Sequence, residues 1–366
     1  MDRSKYCNVS QSDWIKTMTQ IKSFDVVITT NNRAESVKIL VEQILKHSLL
    51  PEKIIIVDSS IEEDLTILKY DRVKYIRSSH ANQPYQRYVG YLASQSPLLV
   101  YLDDDMEIAD DHAFTKTIGR FEKSNIVGLA INFVNDNEFL QQKVPKSKFS
   151  SSTGFKKTLL NLLKTMSGQV KLEDGQYWYN GLKGSQPKSG GSTEWFSGGA
   201  FAVKREYLYK NFNFKLFDIY EGGLGKGEDG IIGYTLSRKG RLEFEPKILF
   251  IHNDKKDSTY TQNFFSFSRR VIYSRLYLSY EFSRLSGRSL WKASAYYHWY
   301  VFWRIIGVMT NQILSYQNSR KEMLRGYWAG WKQAWKSQKE LKQYKDDSCW
   351  KKEAENDIDS ESNSSR

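Results

Sequence analysis

Four short runs of β-branched and aliphatic residues, each ending at a polar tip, constrain this chain more than anything else in it. They are Phe24–Thr30, Lys53–Asp58, Val73–Arg77 and Leu98–Leu102. Between the first two, Val37, Leu40, Val41, Ile44 and Leu45 recur at helical spacing within Ala34–Leu45. Further helices are expected from about Tyr88 to Ser94 and over Ala113–Ser124, with one more strand at Ile126–Phe133. Apolar strands that alternate with helices predict a doubly wound α/β fold, its mixed, mostly parallel sheet covered by helices on both faces.

Ligands of such sheets collect outside the carboxyl ends of the strands. That is where the chain places Asp103, Asp104 and Asp105, directly after Leu102. Three adjacent carboxylates repel one another unless a cation sits among them. Hard oxygen ligands suit Mg²⁺ or Mn²⁺, with phosphates completing the shell. The competing reading is a solvated acidic turn.

A chain of 366 residues holds one large domain and a smaller appendage. The pattern divides it into an N-terminal extension (1–22), an α/β domain (23–256) interrupted by a basic insertion (141–193), a basic aromatic helical region (257–345) and an acidic tail (346–366). Within the insertion, Phe155, Leu159, Leu162, Leu163 and Met166 define one face of a short basic helix. The Ser-rich tail, with seven acids, is expected to be disordered. Cys7 and Cys349 form no framework, and the first twenty residues contain no apolar targeting segment, so a cytoplasmic location is expected. From Lys255 to Lys345 there are 17 Lys/Arg against 4 Asp/Glu, an excess above the net charge of +12 for the whole chain. Such a region fits nucleic acid or an anionic membrane surface. Trp291–Leu314 is aromatic and apolar, but Lys292, His298 and Arg304 interrupt it, which argues for an interfacial or internally packed helix over a bilayer span.

Seven segments resemble, in order and spacing, the motifs of the family 2 glycosyltransferases, inverting enzymes of the GT-A fold. They are Thr30-Asn31-Asn32-Arg33, Ile56-Val57-Asp58, Gln86-Arg87, Leu102-Asp103-Asp104-Asp105, Trp195 to Lys204, Gly227-Glu228-Asp229 and His252. The resemblance runs over roughly Phe24–Asn253. It implies a nucleotide-sugar donor held by Thr30, Asn32, Arg33, Asp58, Arg87, Asp103 and Asp104, with Asp58 at the base and Asp103 at the ribose. It implies Mn²⁺ or Mg²⁺ on Asp105 and His252, an acceptor side at Trp195, Gly198 and Gly199, and a general base at Asp229 with Glu228 in reserve. Thr29, Tyr88 and Lys204 depart from the usual proline, asparagine and arginine, which bears on subfamily and donor.

Transfer needs a stabilised diphosphate and a deprotonated acceptor hydroxyl, and these residues match both needs. A carboxylate that takes the N–H of uracil favours a UDP-sugar. The acceptor class implied is a glycan or a polyisoprenoid-linked sugar, reached by attachment to the inner face of the plasma membrane. For Glu228 and Asp229 the plain alternative is a helix start that favours acids, and for Trp195 it is core packing. A basic nucleic-acid-binding protein leaves the acids and His252 unexplained. An inactive membrane scaffold of the same fold is the other rival. A sugar nucleotidyltransferase lacks its Gly-rich phosphate loop here.

Overall fold

The computed structural model describes residues 23–63, 65–135, 162, 165–166, 173–178, 181–253, 263–314, 318–343 and 348–364. The extension 1–22 and most of the basic helix expected at 155–166 lie outside them. Nine strands form one sheet: β1 (Phe24–Thr30), β2 (Lys53–Asp58), β3 (Val73–Arg77), β4 (Leu98–Asp103), β5 (Met106–Ile108), β6 (Ile126–Asn135), β7 (Gly191–Thr193), β8 (Ala200–Lys204) and β9 (Arg241–His252). Their order is β3-β2-β1-β4-β8-β6-β9-β5, with β7 also paired to β9. The first four strands run parallel, and β8 is antiparallel to both its neighbours. Register sets Thr30 beside Asp58 and Thr29 beside Asp103, so the polar tips of three strands lie at one end of the sheet.

Period-2 alternation sends successive side chains of β1 to opposite cores. Phe24, Val26 and Ile28 pack beneath α1 (Ala34–Leu45) and α3 (Ala113–Lys123), whereas Val27 faces α2 (Gln83–Ala93). A Cβ at Gly90 would overlap Val27 Cγ1, so only glycine lets α2 lie this close to the sheet. Helix α2 begins earlier than its expected start near Tyr88. Asn82 caps it by accepting the Tyr85 N–H, and Pro84 sits in the first turn, where its missing donor costs nothing. Strand β9 is likewise longer than the expected Ile248–His252. It runs through Pro246 because a register shift between Ile131 and Asn132 accommodates that residue.

After α4 (Phe214–Glu221) and α5 (Glu228–Ser237), the basic region folds as α6 (Phe264–Leu285), α7 (Leu290–Leu314) and α8 (Asn318–Lys336). Ile272, Tyr273, Leu276 and Tyr277 of α6 are buried in the same core as α4 and α5. Gly326 and Gly330 bring α8 against the α6 backbone; a Cβ on Gly330 would lie 2.6 Å from Arg269 O. No helix among the described residues is long and apolar enough to cross a membrane.

The tail corrects the expectation of disorder. Ser348–Ser364 is a helix, α9, packed against α2 and β3. Trp350 and Ala354 are buried in the main core and Ile358 packs against it, a stripe at every fourth position. Asp357 accepts from Tyr85 Oη at 2.7 Å and from the Ser79 backbone at 3.0 Å, and Trp350 Nε1 donates to Asp218. The acidic average of the segment hides this one apolar face.

Candidate active site

The acid triplet straddles the end of β4, and its three carboxylates have different surroundings. Asp104 accepts from Thr30 Oγ1 (2.7 Å) and Arg33 Nη1 (2.8 Å), so it faces the fold. Burial outweighs both donors and pushes its pKa up. Asp105 shares the Arg33 guanidinium at 2.7 Å through Oδ2. Its Oδ1 is buried, accepts no hydrogen bond and lies 3.4 Å from His252 Nε2. Burial alone would raise Asp105, but His252 and Arg33 more than offset it and hold the carboxyl below its ordinary value. Antiparallel pairing of Met106 with His252 sets this approach, and Asn253 N donates to Asp105 O at 2.8 Å.

Arg87 organises the opposite side. Its guanidinium, placed by the resemblance among the donor-holding groups, is buried and donates to Asp103 Oδ1 (2.9 Å), Glu228 Oε1 (2.9 Å) and Gly198 O (2.8 Å). Gln83, one helical turn earlier on α2, also donates to Asp103 at 2.8 Å. Burial pushes Asp103 up to about 6, against the pull of Arg87. Arg87 thereby joins the end of β4 to the first turn of α5.

That turn starts at Gly227, whose φ of 92° is left-handed and suits glycine. Glu228 is buried, with Arg87 on one oxygen and the Tyr220 hydroxyl on the other. Burial and its acidic neighbour Asp229 raise its pKa to about 7, although Arg87 opposes the shift. Asp229 is partly exposed and faces Gly198, where a Cβ would lie 3.5 Å from the carboxylate. Only Asp229 of the pair is open to a ligand.

The remaining expected residues divide. Asp58 is buried and accepts from the Ser60 backbone (2.7 Å), the Ser60 hydroxyl and Tyr75 Oη (2.7 Å). Asn32 has a φ of 56° and ties its turn to Ser60 Oγ at 2.6 Å. Trp195, named on the acceptor side, is 7 % exposed, and Lys183 Nζ lies 3.6 Å from its ring centroid, so one face of the ring carries a cation. Gly199, named with Gly198 on the acceptor side, packs on Met106 Sδ, and its carbonyl accepts from Asp103 N at 2.9 Å. Sequence reasoning missed Gln83, Tyr220 and Lys183. The i, i+4 spacing of Gln83 and Arg87 carried a signal; the other two carried none.

Among the described residues no three His, Cys, Asp or Glu side chains form a metal cage. Asp105 Oδ1 and His252 Nε2, 3.4 Å apart, nevertheless suit one divalent cation as neighbouring ligands. Neighbouring ligands of such an ion stand about 3 Å apart, and Mg²⁺-type sites use one or two carboxylates with substrate phosphates and water.

A family model described as Glycosyl transferase family 2 matches residues 25–208, half of the chain. No curated protein sequence matches it. Among solved structures, a mannosyltransferase from Pyrobaculum calidifontis in complex with GDP-Man and Mn²⁺ is 12% identical, with a TM-score of 0.46 over 90% of this chain and 92% of that one. S. aureus TarS 1-349 is 14% identical, with a TM-score of 0.41 over 88% and 93%.

Proposed function

The chain belongs to glycosyl transferase family 2 and is a glycosyltransferase, and from that premise we propose that it moves a sugar from a nucleotide diphosphate, UDP first, to a hydroxyl of a glycan or lipid-linked acceptor with inversion. The observation that carries this reading is the Arg87 bridge, which links Asp103 at the strand end to the turn presenting Asp229. Asp229, partly exposed beside Gly198, takes the proton of the acceptor hydroxyl. The oxygen then attacks the anomeric carbon opposite the leaving diphosphate, and the single displacement inverts that centre. Glu228, clamped by Arg87 and Tyr220, positions the turn and moves no proton.

A bound Mn²⁺ or Mg²⁺ supplies a Lewis acid for the charge that develops on the diphosphate. Asp105 and His252 would hold it. Arg33 and Thr30 fix the acids around that place. Asp103 offers its remaining lone pairs to the ribose. The three bonds to Asp58 leave one acceptor position on Oδ2 for the N–H of a uracil ring.

Attachment to an anionic membrane on its inner face is supported by the outer surface of the helical region. Trp291, Trp299 and Phe302 of α7 and Trp328 and Trp335 of α8 are exposed, interleaved with exposed Lys292, Arg325, Lys332 and Lys336. Aromatic rings with basic neighbours match the headgroup boundary.

Thermal-shift titration with UDP-, GDP- and TDP-sugars, with and without Mn²⁺, tests the donor and metal assignments. Wild-type protein should gain stability with a UDP-sugar only when Mn²⁺ is present, and Asp105→Ala should lose that gain. An equal, metal-independent gain in the variant would overturn the metal assignment.

A further inference from the structure

We propose that Asp357 of α9 is a positioning residue for the reaction: through Tyr85 it fixes the first turn of α2, and with it the Gln83 and Arg87 donors that join Asp103 to the turn presenting Asp229. The inference rests on the proposed reaction, in which Asp103 meets the donor and Asp229 the acceptor.

Apolar packing alone would dock α9. Trp350 and Ala354 are buried, Ile358 packs against the same core, and the helix lies against β3, the strand at the edge of the sheet. Covering that edge is the plain structural role of such a helix. It gives no reason for a carboxylate inside the contact. Asp357 is buried, and burying a carboxylate is costly unless donors surround it. Its Oδ2 accepts from Tyr85 Oη at 2.7 Å, from the Ser79 backbone at 3.0 Å and from Ser79 Oγ at 3.1 Å, all in α2 or the segment before it. Such bonds fix direction and distance, which an apolar stripe leaves loose.

Tyr85 is fully buried, and burial pushes its hydroxyl well above the ordinary tyrosine value, so Oη keeps its proton and donates. Gln83 and Arg87 lie two residues to either side of it, on the opposite face of the helix, and both reach Asp103. Helix α2 therefore has α9 on one face and the site on the other. A second line runs through α4. Trp350 Nε1 donates to Asp218 at 2.9 Å, and its ring meets those of Tyr85 and Phe217 at centroid distances of 5.5 and 5.6 Å. Asn82, the cap of α2, donates to Phe217 O at 2.9 Å. His80 lies 3.1 Å from Glu353 of α9 and 3.4 Å from Glu221, the last residue of α4; both acids are largely exposed, so these pairs add little beside the buried bonds. Helix α9 thus fastens the two helices that grip Glu228, the neighbour of Asp229, with Arg87 from α2 and Tyr220 from α4.

Four variants of the full chain test this at a temperature well below their melting transitions. Asp357→Ala removes the acceptor, Asp357→Asn keeps an oxygen in its place, and Tyr85→Phe removes only the hydroxyl from a buried ring. Gly330→Ala strains the α6–α8 contact and is the control for lost stability alone. Hydrogen exchange over 83–93 and 222–229 should rise in Asp357→Ala and Tyr85→Phe and stay at the wild-type level in Gly330→Ala. Turnover of the sugar nucleotide selected by the thermal-shift titration, with water as acceptor, should fall by about tenfold or more in the same two variants. It should be restored in Asp357→Asn and match wild type in Gly330→Ala, and the Asp357→Ala, Tyr85→Phe double variant should lose no more than either single one. Wild-type exchange over 222–229 in both variants overturns the inference. So does wild-type turnover in both, or an equal loss in Gly330→Ala, which would make the effect one of stability alone. Exchange requires no catalysis, so turnover retained by Asp229→Asn would remove the base assignment and leave the link from α9 to the loop standing.

Discussion

Adjacent residues of one type acquire different chemistry here through what each touches. Asp104 and Asp105 share one guanidinium, yet Asp104 also bonds Thr30 while Asp105 turns one bare oxygen toward His252. Glu228 and Asp229 divide in the same way, one buried against Arg87 and the other partly open. A testable consequence concerns Glu228, whose carboxyl moves from 4.5 to about 7 chiefly through burial. The folded state then binds this proton more tightly than the unfolded chain. Its contribution to stability is full below about pH 4.5 and is lost as pH rises through about 7. Glu228→Gln should therefore flatten the fall in Tm across that window relative to wild type. Parallel Tm–pH curves for the two proteins would refute the burial argument.

At the scale of elements, the sequence made the regular part of the fold legible. Phe24–Thr30, Ala34–Leu45, Lys53–Asp58 and Val73–Arg77 stand where apolar pattern put them, because buried parallel strands and an amphipathic helix each carry an unambiguous period. Boundaries that depend on partners were not legible. The start of α2 depends on the Asn82 cap, and the continuation of β9 past Pro246 depends on its shifted pairing with β6. Helix α9 was missed because its stability comes from Tyr85, Ser79 and Asp218, distant in sequence. The site was legible as an ordered set of residue types, but the inward turn of Arg87 was not, since spacing does not reveal which acids enclose a guanidinium. Two glycines give the element scale its own test. Gly330→Ala places a Cβ 2.6 Å from Arg269 O and should cost about 1–3 kcal/mol by overpacking the α6–α8 contact. Gly307→Ala on α7 meets open space and should instead stabilise by about 0.5–1 kcal/mol. Chemical denaturation of both variants checks the pair; equal effects would contradict the close crossing.

Across the whole molecule, a GT-A α/β sheet holds the acids, while the helical region closes one core with α4 and α5 and turns Trp291, Trp299, Trp328 and Trp335 outward. On the proposed reading, that division separates membrane attachment from catalysis. Trp299→Ser combined with Trp328→Ser should reduce co-sedimentation with vesicles rich in anionic lipid and leave UDP-sugar affinity unchanged. Unaltered sedimentation would remove the membrane from the account. The union of both halves of the site through Arg87 is the claim on which the proposed reaction stands, and Asp229→Asn measures it most directly. Donor affinity in the presence of Mn²⁺ should equal that of wild type, while turnover should fall by about 100-fold or more. Wild-type turnover in that variant would contradict the account.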